Sequence, residues 1–318
     1  MPFGDPTAVR RAATVGTGLI GSHWAALFLA RGLAVVAYDP APDAEARLRH
    51  DVARAWPALE RLGLAAGASQ RRLAFVSDLD EALAGAGFVQ ESVPDDEALK
   101  IDVLARIDAA CPPEVVIASS TSGILPTLLQ SGCAHPQRVL VGHPFNPVHL
   151  LPLVEVVAGE RTSPEAVDWA MAFYHVVGKR PLRVRKEAPG FVSNRLQEAL
   201  WREMFHLVND GIATTAELDA AITDGPGLRL AVFGPAFLYF LQGGRGGMAY
   251  ALSQFDPARI PDWSHNFYPQ ISDELIHKLD EQTREQAEGR SLEEWEQLRD
   301  ESLIRVLQAR DEVTERAS

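Results

Sequence analysis

The chain has 318 residues, 47% hydrophobic and 23% charged, a composition typical of a soluble globular protein with room for two domains. Its formal net charge is −13 and it has no long basic run, which argues against nucleic acid and anionic membranes as partners. Cys111 and Cys133 cannot form a disulfide framework, and neither a signal peptide nor a membrane-spanning apolar run is present. We therefore expect a cytoplasmic protein with reduced thiols.

The first part of the chain carries a nucleotide-binding pattern. An apolar run, Arg11–Val15, leads into Gly16–Gly21, which has the form G-x-G-x-x-G, and an apolar helical pattern follows. A second apolar run, Leu33–Tyr38, ends at Asp39, at the distance where a ribose-binding acid belongs. The glycine pattern alone would be weak evidence, but this order of strand, turn, helix, strand and acid predicts a dinucleotide-binding site.

The physical role of each residue in this pattern indicates the cofactor. Gly16 permits a tight turn, Gly18 lets the backbone approach a diphosphate, and Gly21 allows the helix to pack closely on the strand. The diphosphate would then lie at the helix N-terminus. A carboxylate at Asp39 would repel a 2′-phosphate, so the sequence favours NAD over NADP.

Strand and helix patterns continue to alternate along the chain, which predicts an α/β fold: a Rossmann-type, doubly wound, mostly parallel sheet. Ligands gather at the carboxyl ends of such strands, where Glu91, Ser119–Ser122 and His143 also lie. We therefore expect these residues to share one site with the glycine turn. The cofactor contacts that we predict are Gly16, Thr17, Gly18, Leu19, Ile20, Gly21, Asp39, Glu91 and Ser120.

A change of pattern divides the chain. Ala188-Pro189-Gly190 is typical of a hinge, and only helical patterns follow it. We predict an NAD-binding domain over 1–187 and a helical domain for substrate binding and dimerisation over 188–318. Within the second domain, Gly225–Gly247 is rich in glycine and aromatic residues and suggests a buried helix with a loop at either end.

Three residues in the middle of the chain could move a proton together. His143 is suited to accept a proton near neutral pH, Glu155 could fix its tautomer, and Ser122 could orient a substrate oxygen. Spacing alone leaves open a core histidine, a buried strand carboxylate and a turn serine. No H-E-x-x-H pattern or cluster of histidine with cysteine is present, so we predict no metal site.

Several motifs together resemble one known family along essentially the whole chain. They are Gly16–Gly21 with Asp39, Glu91, S-T-S at Ser120–Ser122, H-P-F-N-P at His143–Pro147, L-V-E-V at Leu153–Val156 and P-G-F-V-S-N-R at Pro189–Arg195. The resemblance is to the 3-hydroxyacyl-CoA dehydrogenase family. It implies that His143 is the catalytic base, that Glu155 orients it, that Ser122 contacts the substrate oxygen and that Asn194 is a further active-site residue. By the same analogy, we expect a homodimer.

Two departures from the family pattern bear on the substrate. Ser120 replaces an asparagine and Pro144 a phenylalanine that are typical of fatty-acid members, and both choices resemble a branch that acts on small hydroxy acids.

Further stretches, among them P-L-R-V-R-K at Pro181–Lys186 and G-G-R-G-G-M at Gly243–Met248, resemble the carnitine-oxidising members of this branch. That resemblance implies a small zwitterionic 3-hydroxy acid as the substrate, and we favour carnitine. Phe145 and Trp201 are our candidates to hold its quaternary ammonium, and Arg195 its carboxylate.

Three other functions remain open. The protein could oxidise L-gulonate by the same mechanism, in a polyol pocket without aromatic side chains around an ammonium. It could oxidise a coenzyme A thioester, although we see no basic cluster for that nucleotide. It could also bind NAD as a structural, crystallin-like protein without turnover, although Ser122, His143, Glu155 and Asn194 are all present.

Overall fold

A computed structural model describes residues 3–254 and 264–317 of the chain. It separates into two compact units, Met1–Asn194 and Arg195–Ser318. Among the described residues, no helix is both long and apolar enough to cross a membrane.

The first unit is built on an eight-stranded sheet in the order β3-β2-β1-β4-β5-β6-β7-β8. Its strands are β1 (Arg11–Val15), β2 (Ala34–Tyr38), β3 (Leu73–Val76), β4 (Phe88–Glu91), β5 (Val116–Ser119), β6 (Val139–Pro144), β7 (Leu153–Ala158) and β8 (Arg180–Val184). All neighbours pair in parallel except β6 and β7, which are antiparallel. The predicted doubly wound, mostly parallel sheet is confirmed.

Helices cover both faces of this sheet. They are α1 (Leu19–Ala30), α2 (Ala44–Leu62), α3 (Leu79–Leu83), α4 (Glu97–Ala110), α5 (Pro126–Leu129) and α6 (Pro164–Val176). One core packs side chains of α1, α2 and α6, with Trp24, Phe28 and Phe173 at its centre. A second core on the opposite face contains Leu104 and Ile107 of α4. Two such cores leave the carboxyl ends of the central strands open for a ligand.

Lys179 is a buried cation between α6 and β8. Its ammonium donates to the carbonyls of Val148 and Leu151, the latter at 2.8 Å, and lies 5.0 Å from the centre of the Trp24 ring. Only 4% of Lys179 is exposed. Burial, with a smaller contribution from the charge of Arg31, lowers the pKa of Lys179 from 10.5 to about 7.

We expect Lys179 to make stability increase with pH. The unfolded chain would keep this proton up to pH 10.5, whereas the folded chain releases it near pH 7, so unfolding between these values takes up a proton. Relative to Lys179→Met, the free energy of unfolding of the wild type should rise by up to about 1.4 kcal/mol per pH unit over this range. Urea denaturation of both proteins at several pH values between neutrality and pH 10 measures this, and a constant difference would contradict it.

The second unit consists of helices over its described residues. The helix α7 (Ser193–Asn209) begins in the first unit, and α8 (Thr215–Thr223), α9 (Pro226–Leu230), α10 (Pro235–Gln242), α11 (Gly247–Gln254), α12 (Asp273–Gln286) and α13 (Leu292–Ala317) follow. Thr214 and Glu217 form a capping box that starts α8. The predicted helical character of this part of the chain is confirmed.

The structure corrects the prediction of one buried helix over Gly225–Gly247. Two short helices, α9 and α10, replace it, because Pro226 and Pro235 each open a new helix at its first turn. Phe233, Phe237 and Phe240 are between 43% and 50% exposed. Their apolar character indicated burial, but these aromatic rings contact one another at the surface of the unit.

Candidate active site

The glycine turn between β1 and α1 packs closely against the protein at Gly16 and Gly21 but has free space beside Gly18. Gly16 has φ of 87°, and a Cβ on it would lie 2.7 Å from the backbone of Ser92 and Val93. A Cβ on Gly21 would collide with the carbonyl of Gly16, so both positions require glycine. At Gly18, by contrast, a Cβ would meet no described atom within 4 Å. The turn therefore packs tightly on the backbone just after β4, whereas the open position at Gly18 leaves the backbone of the turn accessible to a ligand.

The N-terminus of α1 fits a diphosphate. Gly18 is the N-cap, and no side chain among the described residues caps the helix by a hydrogen bond. No acidic residue occupies its first turn either, so its N–H groups and helix dipole can serve an anion. The residues present therefore fit the diphosphate of a dinucleotide.

Asp39 follows β2 and is held by backbone groups. One of its carboxylate oxygens accepts from the Thr17 N–H at 2.8 Å and from the Thr17 hydroxyl at 3.1 Å. The other accepts from the Ala41 N–H at 2.9 Å. Thr17 is only 4% exposed and positions Asp39, and its own contact with the cofactor stays a prediction.

A cavity of about 730 Å³ lies along the carboxyl ends of β1, β2, β4, β5 and β6. Its volume is in the range of small-molecule and cofactor sites. Predicted residues that line it are Gly16, Gly18, Leu19, Ile20, Asp39, Ser120, Ser122 and His143. The glycine turn and the residues proposed for proton transfer therefore border the same cavity. This arrangement is the one expected from their positions at the carboxyl ends of parallel strands.

Glu91 is the last residue of β4 and is held by three donors. It is fully buried, and its carboxylate accepts from Lys100 Nζ at 2.8 Å, from the Val93 N–H at 2.6 Å and from the Ser119 hydroxyl at 2.5 Å. These bonds hold the backbone after β4 and the end of β5 in place beside the cavity. The contact of Glu91 with the cofactor stays a prediction.

His143 and Glu155 face each other across two antiparallel strands. The pairing of β6 with β7 places the two residues directly opposite. Nδ1 of His143 lies 2.8 Å from Oε2 of Glu155, and the two residues are 6% and 0% exposed. A carboxylate accepts from the Nδ1–H, which leaves Nε2 as the basic nitrogen of a neutral ring.

Glu155 remains ionised although it is buried. Its second oxygen accepts from the N–H groups of Val192 at 3.0 Å and Ser193 at 2.9 Å, and from the Ser193 hydroxyl at 3.2 Å. Burial alone would raise the pKa of Glu155, but the hydrogen bonds from His143, Ser193 and Val192 outweigh it and lower this pKa. The same bonds tie β7 to the start of α7.

Two aromatic rings border the imidazole. The centre of the Phe145 ring lies 5.1 Å from that of His143, and the centre of the Phe191 ring lies 5.5 Å away. Phe191 is 2% exposed and was missed as a site residue. Its place in the Pro189–Arg195 motif is the sequence signal that could have identified it.

Ser122 is paired with an acid that sequence analysis did not select. Its hydroxyl and its N–H donate to Asp95 Oδ2 at 2.6 and 3.0 Å, and the Thr121 hydroxyl donates to Oδ1 at 2.5 Å. Burial opposes ionisation of Asp95, but these hydrogen bonds and the nearby charge of Lys100 lower its pKa. Asp95 lies in the short loop between β4 and α4, and an acid in a loop at the carboxyl end of a strand is the sequence signal that could have identified it.

Asn194 is brought to the same place. Its side-chain Nδ2 donates to the carbonyl of Ser122 at 3.0 Å. The structure thus collects Ser122, His143, Glu155 and Asn194 within the first unit. Arg195 and Trp201 belong to the second unit, and their roles stay predictions.

Comparison with known families agrees with this geometry. The model of the 3-hydroxyacyl-CoA dehydrogenase NAD binding domain matches residues 11–188, and the model of the C-terminal domain of the same enzymes matches residues 190–275. The chain belongs to the 3-hydroxyacyl-CoA dehydrogenase family. The predicted family, the NAD cofactor and the class of NAD-dependent 3-hydroxy acid dehydrogenase are confirmed.

Individual members of the family resemble the chain over nearly its full length. L-carnitine dehydrogenase of Streptomyces griseus subsp. griseus is 55% identical over 304 residues, which are 96% of this chain and 91% of the relative. L-carnitine dehydrogenase of Pseudomonas aeruginosa is 54% identical over 303 residues, which are 95% of this chain and 94% of the relative.

Solved structures show the same fold at lower identity. A 5-formyl-3-hydroxy-2-methylpyridine 4-carboxylic acid 5-dehydrogenase, described as an NAD+-dependent dismutase, has a TM-score of 0.82 and 30% identity, and the match covers 95% of this chain and 99% of that one. The 3-hydroxybutyryl-CoA dehydrogenase of Escherichia coli K12 has a TM-score of 0.65 and 28% identity, with 85% and 56% covered.

Proposed function

We propose that the protein oxidises L-carnitine to 3-dehydrocarnitine with NAD. The observation that carries this proposal is the identity of 51–55% over at least 95% of the chain with L-carnitine dehydrogenases of Streptomyces and Pseudomonas. The cavity supports it, because the base, its carboxylate and the dinucleotide turn lie together on one unit.

His143 is the general base of the proposed reaction. Its Nε2 accepts the proton of the substrate hydroxyl as the carbon–oxygen bond becomes a carbonyl. NAD, when bound, accepts the hydride from the same carbon. Glu155, which is ionised and 2.8 Å from Nδ1, holds the tautomer that leaves Nε2 basic and stabilises the imidazolium that forms.

Ser122 orients the substrate oxygen. A hydroxyl has one hydrogen, and that of Ser122 is donated to Asp95 at 2.6 Å. Because the one hydrogen of the substrate alcohol goes to His143, Ser122 would contact the substrate oxygen by turning its own hydrogen from Asp95 to that oxygen. Asn194 holds the Ser122 carbonyl at 3.0 Å, which supports its assignment as an active-site residue.

The charged ends of carnitine require different partners. A quaternary ammonium donates no hydrogen bond and is held best on aromatic faces, worth about 0.5–2 kcal/mol each. Phe145, beside the His143 ring, and Trp201 are the residues that we assign to it. Arg195 is assigned to the carboxylate.

We further propose that 1–187 form the NAD-binding domain, that 188–318 form the substrate and dimerisation domain, and that the protein is a cytoplasmic homodimer. Support for dimerisation is the surface of the second unit, where Phe233, Phe237 and Phe240 are 43–50% exposed. Apolar side chains grouped on a surface mark interaction sites.

The direct test is NADH formation from NAD with L-carnitine, L-gulonate and a 3-hydroxyacyl-CoA in parallel at alkaline pH. We expect turnover with L-carnitine alone. Turnover of gulonate or the thioester with carnitine inert would overturn the substrate while retaining the mechanism of His143 and Glu155. NAD binding without turnover of any of the three would favour a structural protein.

A further inference from the structure

Ser92 and Ser120 form a hydrogen-bonded pair at the floor of the cavity. They follow β4 and β5, both line the cavity, and their hydroxyl oxygens are 2.8 Å apart. The proposed function assigns no role to Ser92. Either hydroxyl could be the donor at this distance, so the direction of the bond depends on the neighbours of each oxygen.

The neighbours of Ser120 decide the direction. Nε1 of Trp24 donates to the Ser120 oxygen at 3.2 Å, and Nε2 of Gln90 donates to it at 2.9 Å. A hydroxyl oxygen has two lone pairs, and these two donors use both. The Ser120 hydrogen is therefore donated to Ser92. All the hydrogen-bonding capacity of Ser120 is used inside the protein, and its predicted contact with the cofactor stays a prediction.

Gln90 can act as that donor only in one orientation of its amide. Its Nε2 also lies 3.4 Å from the carbonyl of Gly142, and a carbonyl only accepts. Its Oε1 accepts from the Tyr174 hydroxyl at 2.8 Å. Gln90 and Tyr174 are both fully buried, and a flipped amide would place Oε1 against the Gly142 carbonyl. The chain of hydrogen bonds from Tyr174 through Gln90 and Ser120 to Ser92 therefore has one direction.

We propose that Ser92 is a cofactor-binding residue, whose hydroxyl is held as a donor to the nicotinamide half of NAD. Because its oxygen accepts from Ser120, its hydrogen points away from Ser120, and Ser92 borders the cavity. Tyr174, Gln90 and Ser120 are positioning residues that fix this direction. A donor oriented before binding contributes more to affinity than one that must reorganise.

The order of the strands assigns the half of the cofactor. β4 and β5 lie between β1, whose turn receives the diphosphate, and β6, which carries His143. The nicotinamide must lie on the side of His143, because hydride leaves the carbon whose hydroxyl His143 deprotonates. For this step alone the inference rests on the proposed function. The acceptors available in that half are the carboxamide oxygen and the ribose hydroxyls.

Calorimetric titration of the full-length protein without substrate tests the inference. For Ser92→Ala we expect the dissociation constant of NAD to rise about 3- to 10-fold, while that of ADP, which lacks both the nicotinamide and its ribose, stays within about twofold. Ser92→Thr keeps the hydroxyl and should bind NAD nearly as the wild type does. With the thionicotinamide analogue, a smaller loss identifies the carboxamide as the acceptor, and an equal loss identifies the ribose.

Tyr174→Phe tests the positioning role and serves as a second route if Ser92→Ala is poorly folded, which a thermal melt will show. It should weaken NAD binding about 2- to 3-fold, leave ADP binding unchanged, and add nothing in the Ser92→Ala background. Unchanged NAD affinity, or equal losses for NAD and ADP, would overturn the inference. Selective loss of NAD with carnitine inert would overturn the proposed substrate instead.

Discussion

His143→Ala is expected to lower kcat for L-carnitine by about 10²- to 10⁴-fold, the range that a positioned general base contributes. The alanine removes the nitrogen that would take the hydroxyl proton, and water in its place would be neither oriented nor held by Glu155. NAD affinity should stay within about twofold of the wild type, because the glycine turn and Asp39 have no hydrogen bond to the imidazole. Single-turnover NADH formation and calorimetric titration with NAD measure the two quantities.

His175→Ala is the matched control for this variant. His175 lies at the exposed C-terminal end of α6 and has no part in the cavity, so the same substitution there should leave kcat and NAD affinity unchanged. Unimpaired turnover in His143→Ala would exclude His143 as the base. Loss of both turnover and NAD binding would mean that the catalytic site is wrongly assigned.

Regular patterns made the fold predictable from sequence. The buried strands of the first unit are short and mostly apolar, and most of its helices follow a glycine, a serine or an acid. The glycine turn with Asp39 identified the first strand–helix–strand unit. The alternation of strands and helices along the chain is compatible with only a few strand orders in the sheet. The site was predictable to the same extent, because parallel strands bring their carboxyl ends to one edge of the sheet.

The alternation of strands and helices alone does not predict the contact between His143 and Glu155. In an entirely parallel sheet, neighbouring strands point the same way, and a residue early in β7 would lie far from the end of β6. The contact exists because β7 reverses direction, which places the third residue of β7 opposite His143. The family resemblance supplied this information, whereas the spacing of the two residues could not.

The sequence did not predict whether side chains near the strand ends point into the cavity or into the protein. Glu91, Thr17 and Ser120 were all predicted to contact the cofactor, yet each uses its polar atoms inside the protein. A residue at the end of a strand or just after it lies where the periodicity stops, so the sequence pattern does not assign its side chain to the cavity or the core. Only the partners that meet there, such as Lys100 for Glu91, decide the direction.

Glu155→Gln is expected to lower kcat by about 10²- to 10⁴-fold while leaving the ring in place. A carboxylate can only accept, so it keeps the imidazole hydrogen on Nδ1 and leaves Nε2 basic. A glutamine amide can donate its own N–H to Nδ1, which moves the hydrogen to Nε2 and removes the base, as in the corresponding change in serine proteases. Glu160→Gln, an exposed position in the turn after β7, is the matched control and should keep full activity.

The same variant has a stability signature with a definite sign. Hydrogen bonds from His143, Ser193 and Val192 overcome the effect of burial and lower the pKa of Glu155 below its ordinary value of 4.5, so the ionised form stabilises the folded chain. This contribution is present above pH 4.5 and is lost as the pH falls through the pKa of the folded state. The difference in free energy of unfolding between wild type and Glu155→Gln should therefore be largest near neutral pH and shrink in acid. Urea denaturation at neutral and acidic pH measures this difference. A difference independent of pH would show that the Glu155 charge does not stabilise the fold, and kcat within tenfold of the wild type would show that it does not set the tautomer of His143.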